Sequence, residues 1–332
     1  MPARSAELPA LVPALPAHAL VSAAARHGVS AMLADAFHAA RVGFTEARQL
    51  LADARDVAAQ AQRVRRAAIA VHRALLGAGV RAVALKGPVL AARLFPENPL
   101  ARPSTDLDVL VEPGALDRTE AVLAAAGQRR ADDPALADPL DDHHHLSFTG
   151  PLGLVEVHHR LTWSFGGGRF DDEAVLRRTV RTTFEGLVVE VLAPEDEFLY
   201  LATHAANHAF MRASWLVDLQ RYLALHPSLD WVTMRARAER AGFVQALSVT
   251  LALLERALDV TLPPGAHAAF GPRLARAVVD QFLFDARRLE SAALSNHRLA
   301  SFALRLWMVD SLEHGARHLA DGARRYLRRA TA

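Results

Sequence analysis

Asp106 and Asp108 stand two residues apart in Thr105-Asp106-Leu107-Asp108-Val109-Leu110-Val111, a run that alternates acids with apolar residues and then turns wholly apolar. A strand puts residues i and i+2 on one face, about 6.5 to 7 Å apart along the backbone. Two oxygen donors at that spacing suit a hard cation such as Mg²⁺, with Mn²⁺ as the alternative ion. Burying both acids without a cation would be costly, because like charges in one site repel. The competing reading is an edge strand with solvated acids. Leu107, Val109, Leu110 and Val111 favour a buried strand whose acids lie at the sheet's rim. Glu156 sits at the centre of Leu154-Val155-Glu156-Val157-His158. If that strand neighbours Asp108, Glu156 supplies a third ligand or a general base. His158 shares its face and can orient substrate, bond a carboxylate, or serve as a structural histidine.

A second group of residues suits phosphate. Lys86, Gly87 and Pro88 follow the apolar run from Ala82 to Leu85 and open a short helical pattern that ends at Leu94. Amides at a helix N-terminus bind phosphate, and glycine lets a ligand approach the backbone. Pro88 loses nothing there, since its amide would be unpaired anyway. The Gly-x4-Gly-Lys-Ser/Thr pattern of a Walker loop is missing. Lys86 is the single lysine among 38 basic residues, the other 37 being arginine. A compact ammonium on a flexible stem does what a planar guanidinium cannot, so its position beside the glycine marks a selected cation. Arg102, just before Asp106, offers a second positive contact to phosphate.

These residues need a scaffold. Residues 16 to 78 read as helical, with a long segment from Thr45 to Leu76 that Thr45 caps and Gly77 and Gly79 stop. Val80 to Leu85 enters the first strand. Pro113 to Ala126 is helical again, and residues 128 to 142 form a polar, acidic loop. His145 to Phe148 and Leu154 to His158 make two strands joined by a turn at Thr149-Gly150-Pro151-Leu152-Gly153. Glycines 166 to 168 mark a mobile loop, and Val188 to Leu192 is a further strand. From Pro194 the chain reads as helical, with breaks near His226-Pro227-Ser228, Leu262-Pro263-Pro264-Gly265 and Gly271-Pro272. The pattern divides into an N-terminal helical segment (1–78), an α/β core (79–192) and a C-terminal helical domain (193–332). It predicts an α+β fold, a small mixed sheet flanked by helices.

Composition narrows the class. At 52% hydrophobic, the 332 residues can bury a sizeable core. A net charge of +2 is small for a strong nucleic-acid binder. The absence of cysteine rules out disulfides and thiolate metal sites. No apolar run spans a membrane, and the Pro/Ala-rich start lacks the pattern of a signal peptide. A cytoplasmic protein without a membrane partner is expected.

Other candidates have plainer readings. His143, His144 and His145 are consecutive, so a strand cannot aim all three at one ion. They read as a polar loop entering a strand at a cleft rim. His204 and His208 are four apart on a predicted helix, which permits a shared metal. The residue after His204 is Ala205, so the zinc-protease pattern is absent, and a structural or acceptor-contacting role fits better. Arg212, Trp215 and Asp218 follow on the next turns, with Trp215 either stacking on a base or joining the core. The arginines between 317 and 329 read as a solvated face.

Together these residues resemble the nucleotidyltransferase superfamily of the DNA polymerase β type, and more closely its bacterial branch of uncharacterised nucleotidyltransferase family proteins. The likeness rests on Leu85-Lys86-Gly87, Arg102, Asp106-Leu107-Asp108 and Glu156-Val157-His158, with His204 and Trp215-Leu216-Val217-Asp218 further on. It runs from about residue 80 to about residue 225. The resemblance implies a nucleotidyltransferase core that moves a nucleoside monophosphate from an NTP. Two Mg²⁺ ions would be held by Asp106, Asp108 and Glu156. Lys86, Gly87, Arg102 and His158 would face the nucleotide, and His204, Arg212, Trp215 and Asp218 the substrate side. The superfamily's usual Gly-Ser is replaced by Lys86-Gly87, which makes Lys86 the substitute phosphate contact. The expected acceptor is a hydroxyl of a small molecule, peptide or protein. Two alternatives are a nucleotide-sensing module, which the intact acids argue against, and tRNA-end modification, which the small net charge disfavours.

Overall fold

Alanine- and leucine-rich segments form the first elements of the computed structural model: α1 (Ala17–Arg26), α2 (Ser30–Ala40) and α3 (Ala47–Gly77). The structure describes residues 16–41, 47–131, 144–162 and 168–271, with short stretches between 275 and 319. Thr45, His143, Gly166, Gly167, most of the acidic loop and the arginines between 317 and 329 lie outside the described residues. The long helix α3 buries Leu50, Ala61, Val64, Ala68, Val71 and Leu75, an apolar stripe at three- and four-residue spacing. It stops where Gly79 takes a φ of +67°, and the Val80 amide returns to the Leu75 carbonyl at 2.9 Å.

The next elements alternate. They are β1 (Ala82–Ala84), α4 (Gly87–Leu94), β2 (Asp106–Val111), α5 (Leu116–Ala125), β3 (Arg129–Arg130), β4 (His145–Thr149) and β5 (Leu154–His158). Then come α6 (Asp172–Arg177), β6 (Val180–Phe184) and β7 (Leu187–Val191). Helices α7 (Pro194–Asn207), α8 (Ala213–Leu225), α9 (Trp231–Ala241), α10 (Val244–Leu258) and α11 (Pro264–Phe270) complete the regular elements. Among the described residues the strands form one mixed sheet in the order β3-β4-β5-β2-β1-β7-β6. β2 runs parallel to β5 and antiparallel to β1, and β1 runs parallel to β7. The fold is α+β.

Both faces of the sheet are covered. Ala84, Leu107, Val109, Val111, Val155 and Val157 pack on Val64, Ala68, Val71 and Leu75 of α3. Val83 and Leu110 point the other way, into a larger core with Phe198, Leu199 and Ala202 of α7 and Leu247 and Leu251 of α10. Full coverage explains why β2 ends in a continuous apolar run.

Three elements depart from expectation. β3 is only two residues long, at the start of the stretch read as loop. Helix α6 begins at Asp171, whose side chain accepts from the Ala174 amide at 2.9 Å. β6 pairs with β7 through a two-residue turn at Glu185 and Gly186, with φ of 50° and 75°. That backbone is the usual hairpin turn, but glutamate in place of asparagine or aspartate hid it. β7 itself lies one residue earlier than expected.

Candidate active site

Register assembles the acids. Asp108 lies beside Glu156, and Leu110 beside His158, on the parallel strands β2 and β5. The period of two then places Asp106, Asp108, Glu156 and His158 on one face, the face that α7 covers. Asp108 is 1% exposed, whereas Asp106 and Glu156 are partly exposed. Its Oδ1 lies 3.1 Å from His158 Nε2 and 3.3 Å from Lys86 Nζ. A carboxylate only accepts, so His158 Nε2 carries the hydrogen. Oδ2 of Asp108 is buried and meets no donor.

Lys86 precedes α4, and Gly87 takes a φ of +65°, a conformation that only glycine adopts without strain. The turn carries the Lys86 ammonium back over the acids. The ammonium donates to the hydroxyl oxygen of Tyr200 on α7. Sequence reasoning missed Tyr200; the signal was its position four residues before His204, on the same face of one helix.

The charges are strongly coupled. Burial pushes Asp108 up, but the Lys86 ammonium and the His158 hydrogen bond outweigh it and hold the carboxyl well below the usual range. Burial, then the negative charges of Asp108 and Asp106, push Glu156 up to about 7. Burial and the charge of Asp108 raise Asp106 as well. Burial opposes the Lys86 charge, yet Asp108 and its acidic neighbours raise Lys86 above its ordinary value.

This donor set fits a divalent cation. Asp108, Glu156 and His158 offer ligand atoms within 4.8 Å of one another. The orphaned Oδ2 of Asp108 gives such an ion a direct partner, and a cation would offset the burial and the mutual repulsion that raise Glu156. Asp106 stands on the same face but outside that 4.8 Å group.

Arg102 links the site to α8. Its guanidinium, 6% exposed, forks onto Asp218 of α8 at 2.9 to 3.1 Å and reaches the Gly87 carbonyl at 3.4 Å. It therefore ties the phosphate-type turn to α8, and Asp218 is the buried other half of that tie. His204 and His208 pack their rings against Trp215, with centroids 5.2 and 5.3 Å away, and Arg212 lies 5.9 Å above the Trp215 ring. Trp215 is partly buried. Burial and then Lys86 push His204 well below its ordinary value and His208 down to about 4, so both rings are neutral. The structure thus brings Lys86, Asp106, Asp108, Glu156, His158 and His204 together, and sets Arg212 and Trp215 beside His204.

His144 and His145 stand where a polar loop enters a strand, as expected, and His143 lies outside the described residues. His144 lies in a bend before β4, so the alternation of a strand does not apply to it, and its ring meets those of His145 and His158.

A sequence model of the family described as uncharacterised nucleotidyltransferase matches residues 13–259. The chain belongs to that family. The nucleotidyltransferase has a nucleoside triphosphate as the implied donor and transfers a nucleotidyl group. No curated protein matches the chain. The solution structure of the antibiotic-resistance factor ANT(2″)-Ia is similar to 60% of this chain and 98% of its own. Identity in that match is 14% and the TM-score 0.38. No helix among the described residues is long and apolar enough to cross a membrane.

Proposed function

We propose that the nucleotidyltransferase moves a nucleoside monophosphate from an NTP to a hydroxyl of a small molecule, peptide or protein and releases pyrophosphate. The observation that carries this reading is the buried Asp108 carboxylate, with one oxygen lacking a donor, set beside Glu156 by strand register. Asp106, Asp108 and Glu156 would hold Mg²⁺ (or Mn²⁺). When bound, the ion neutralises phosphate charge and acidifies the acceptor hydroxyl. Lys86 holds Asp108 in its ionised form, and its flexible stem lets the ammonium reach a phosphate oxygen. Glu156 serves as a ligand of the ion or as the base that accepts the hydroxyl proton. The hydroxyl oxygen then bonds to the α-phosphorus as the bond from that phosphorus to the bridging oxygen breaks. Arg102 and Asp218 keep the Gly87 turn and α8 in register with the acids. The acceptor side lies toward His204, Arg212 and Trp215.

Calorimetry of Mg-NTP binding tests the assignment. The Asp106→Asn/Asp108→Asn variant is expected to lose binding, and wild-type affinity in that variant would sink the proposal. Pyrophosphate release across a panel of hydroxyl acceptors then separates an enzyme from a nucleotide sensor.

A further inference from the structure

The strand that carries Glu156, β5, and its neighbour β4 hold a second constellation. His145 and His158 are direct partners across β4 and β5. Directly opposed residues bring their side chains together on one face of the sheet. The His144 carbonyl accepts from the His159 and Arg160 amides at 3.0 and 3.2 Å, which pins the bend that turns the His144 ring inward. The three rings lie with centroids 4.5, 5.0 and 5.1 Å apart. Each offers a nitrogen within 4.8 Å of the others.

We propose that His144, His145 and His158 form a binding site for a borderline-soft divalent transition ion of the Zn²⁺ class, adjoining the carboxylate site and joined to it through His158. Two features carry this. His158 donates through Nε2 to Asp108, which leaves Nδ1 as a lone pair, and that Nδ1 is buried without a partner. A metal-binding histidine characteristically gives its other ring N–H to a carboxylate, which sets the tautomer and raises the ring's basicity. Second, His145 Nδ1 and His144 Nε2 lie 3.3 Å apart. Two nitrogens on a tetrahedral ion at about 2.0 to 2.1 Å stand about 3.3 Å from each other. A shared hydrogen gives the same spacing, so experiment must part the two arrangements.

Ligand chemistry sets the ion. Imidazole suits Zn²⁺, Co²⁺ and Ni²⁺, whereas Mg²⁺ takes oxygen ligands and keeps its water. His144 and His145 are partly exposed, so an ion can enter from solvent. The ion would cross-link β4 to β5 and fix the ring that holds Asp108. Such a site would bind its ion whether or not the chain transfers nucleotides.

The test uses the full chain, stripped by chelator and supplied with excess Mg²⁺ to fill the carboxylates. Titration with Co²⁺ is expected to give one equivalent with visible bands of a nitrogen-rich site, displaced by Zn²⁺. His144→Ala and His145→Ala, checked for folding by circular dichroism, are each expected to weaken Co²⁺ by at least about tenfold. Asp106→Asn is expected to leave Co²⁺ affinity unchanged. Absence of Co²⁺ binding in wild type, or equal binding to the double histidine variant, overturns the proposal. X-ray absorption on the Zn²⁺-loaded wild type gives a readout that needs no variant. Three imidazoles support the site, and fewer overturn it.

Discussion

Lys86 sits where three carboxylates would otherwise face one another, with its ammonium 3.3 Å from Asp108 and 15% of its side chain exposed. All the other basic positions hold arginine; lysine puts a compact ammonium here where arginine would put a wide, forked guanidinium. Removing one partner of a buried pair strands the other charge, at a cost of about 3 to 5 kcal/mol. Lys86→Met is therefore expected to lower the urea midpoint sharply in chelator, and Mg²⁺ is expected to restore part of the loss. Equal midpoints for the variant and wild type in chelator would remove Lys86 from this role. Lys86→Arg keeps the charge but not the shape, and is expected to lose turnover. Lys86, Asp106, Asp108 and Glu156 were all legible in the sequence, because strand alternation and a glycine turn place them through patterns only a few residues long. Tyr200 was not, since a tyrosine on an apolar helix reads as core until the helix is docked.

At the scale of elements, the loop before β2 and helix α8 are joined by one buried fork, Arg102 to Asp218. Asp218→Leu is expected to destabilise the protein by about 3 to 5 kcal/mol, since it leaves a buried guanidinium unpaired. The double variant Arg102→Met/Asp218→Leu is expected to recover most of that stability. Urea denaturation of both singles and the double measures the coupling. If the double is no better than the worse single, the fork is not the tie. The Arg-to-Asp spacing of 116 residues hid this pairing from any local reading. Elements with clean periodicity, such as α3, β2 and β5, were legible at their ends to within a residue or two. β6 was not. Its Val180-Arg181-Thr182-Thr183-Phe184 leaves most side chains toward water, so it lacks the apolar alternation that marks a strand.

The whole molecule carries several histidines in a neutral state. His72, on α3 against the back of the sheet, is 5% exposed, and burial lowers it to about 4. A folded value below the unfolded value of 6.5 means that the unfolded chain binds the extra proton first. Stability is then full above about 6.5 and falls as pH drops toward 4, by up to about 3 kcal/mol from this residue. Urea midpoints measured from pH 7 to pH 4 are expected to drop, and His72→Leu to flatten the slope. An unchanged slope in the variant would show that His72 is not a source of the acid sensitivity.

What the sequence by itself determined was local: which segments are helix or strand, which face of β2 and of β5 carries acids, and that a lysine and a glycine end the first strand. Period and turn chemistry are short-range, so one chain suffices to read them. Tertiary structure decided what no spacing encodes. The parallel register set Glu156 beside Asp108 rather than one strand away. The docking of α7 brought Tyr200 and His204 over Lys86. The fold also set Arg102 against Asp218, because a buried guanidinium takes a nearby carboxylate and distance along the chain does not limit it.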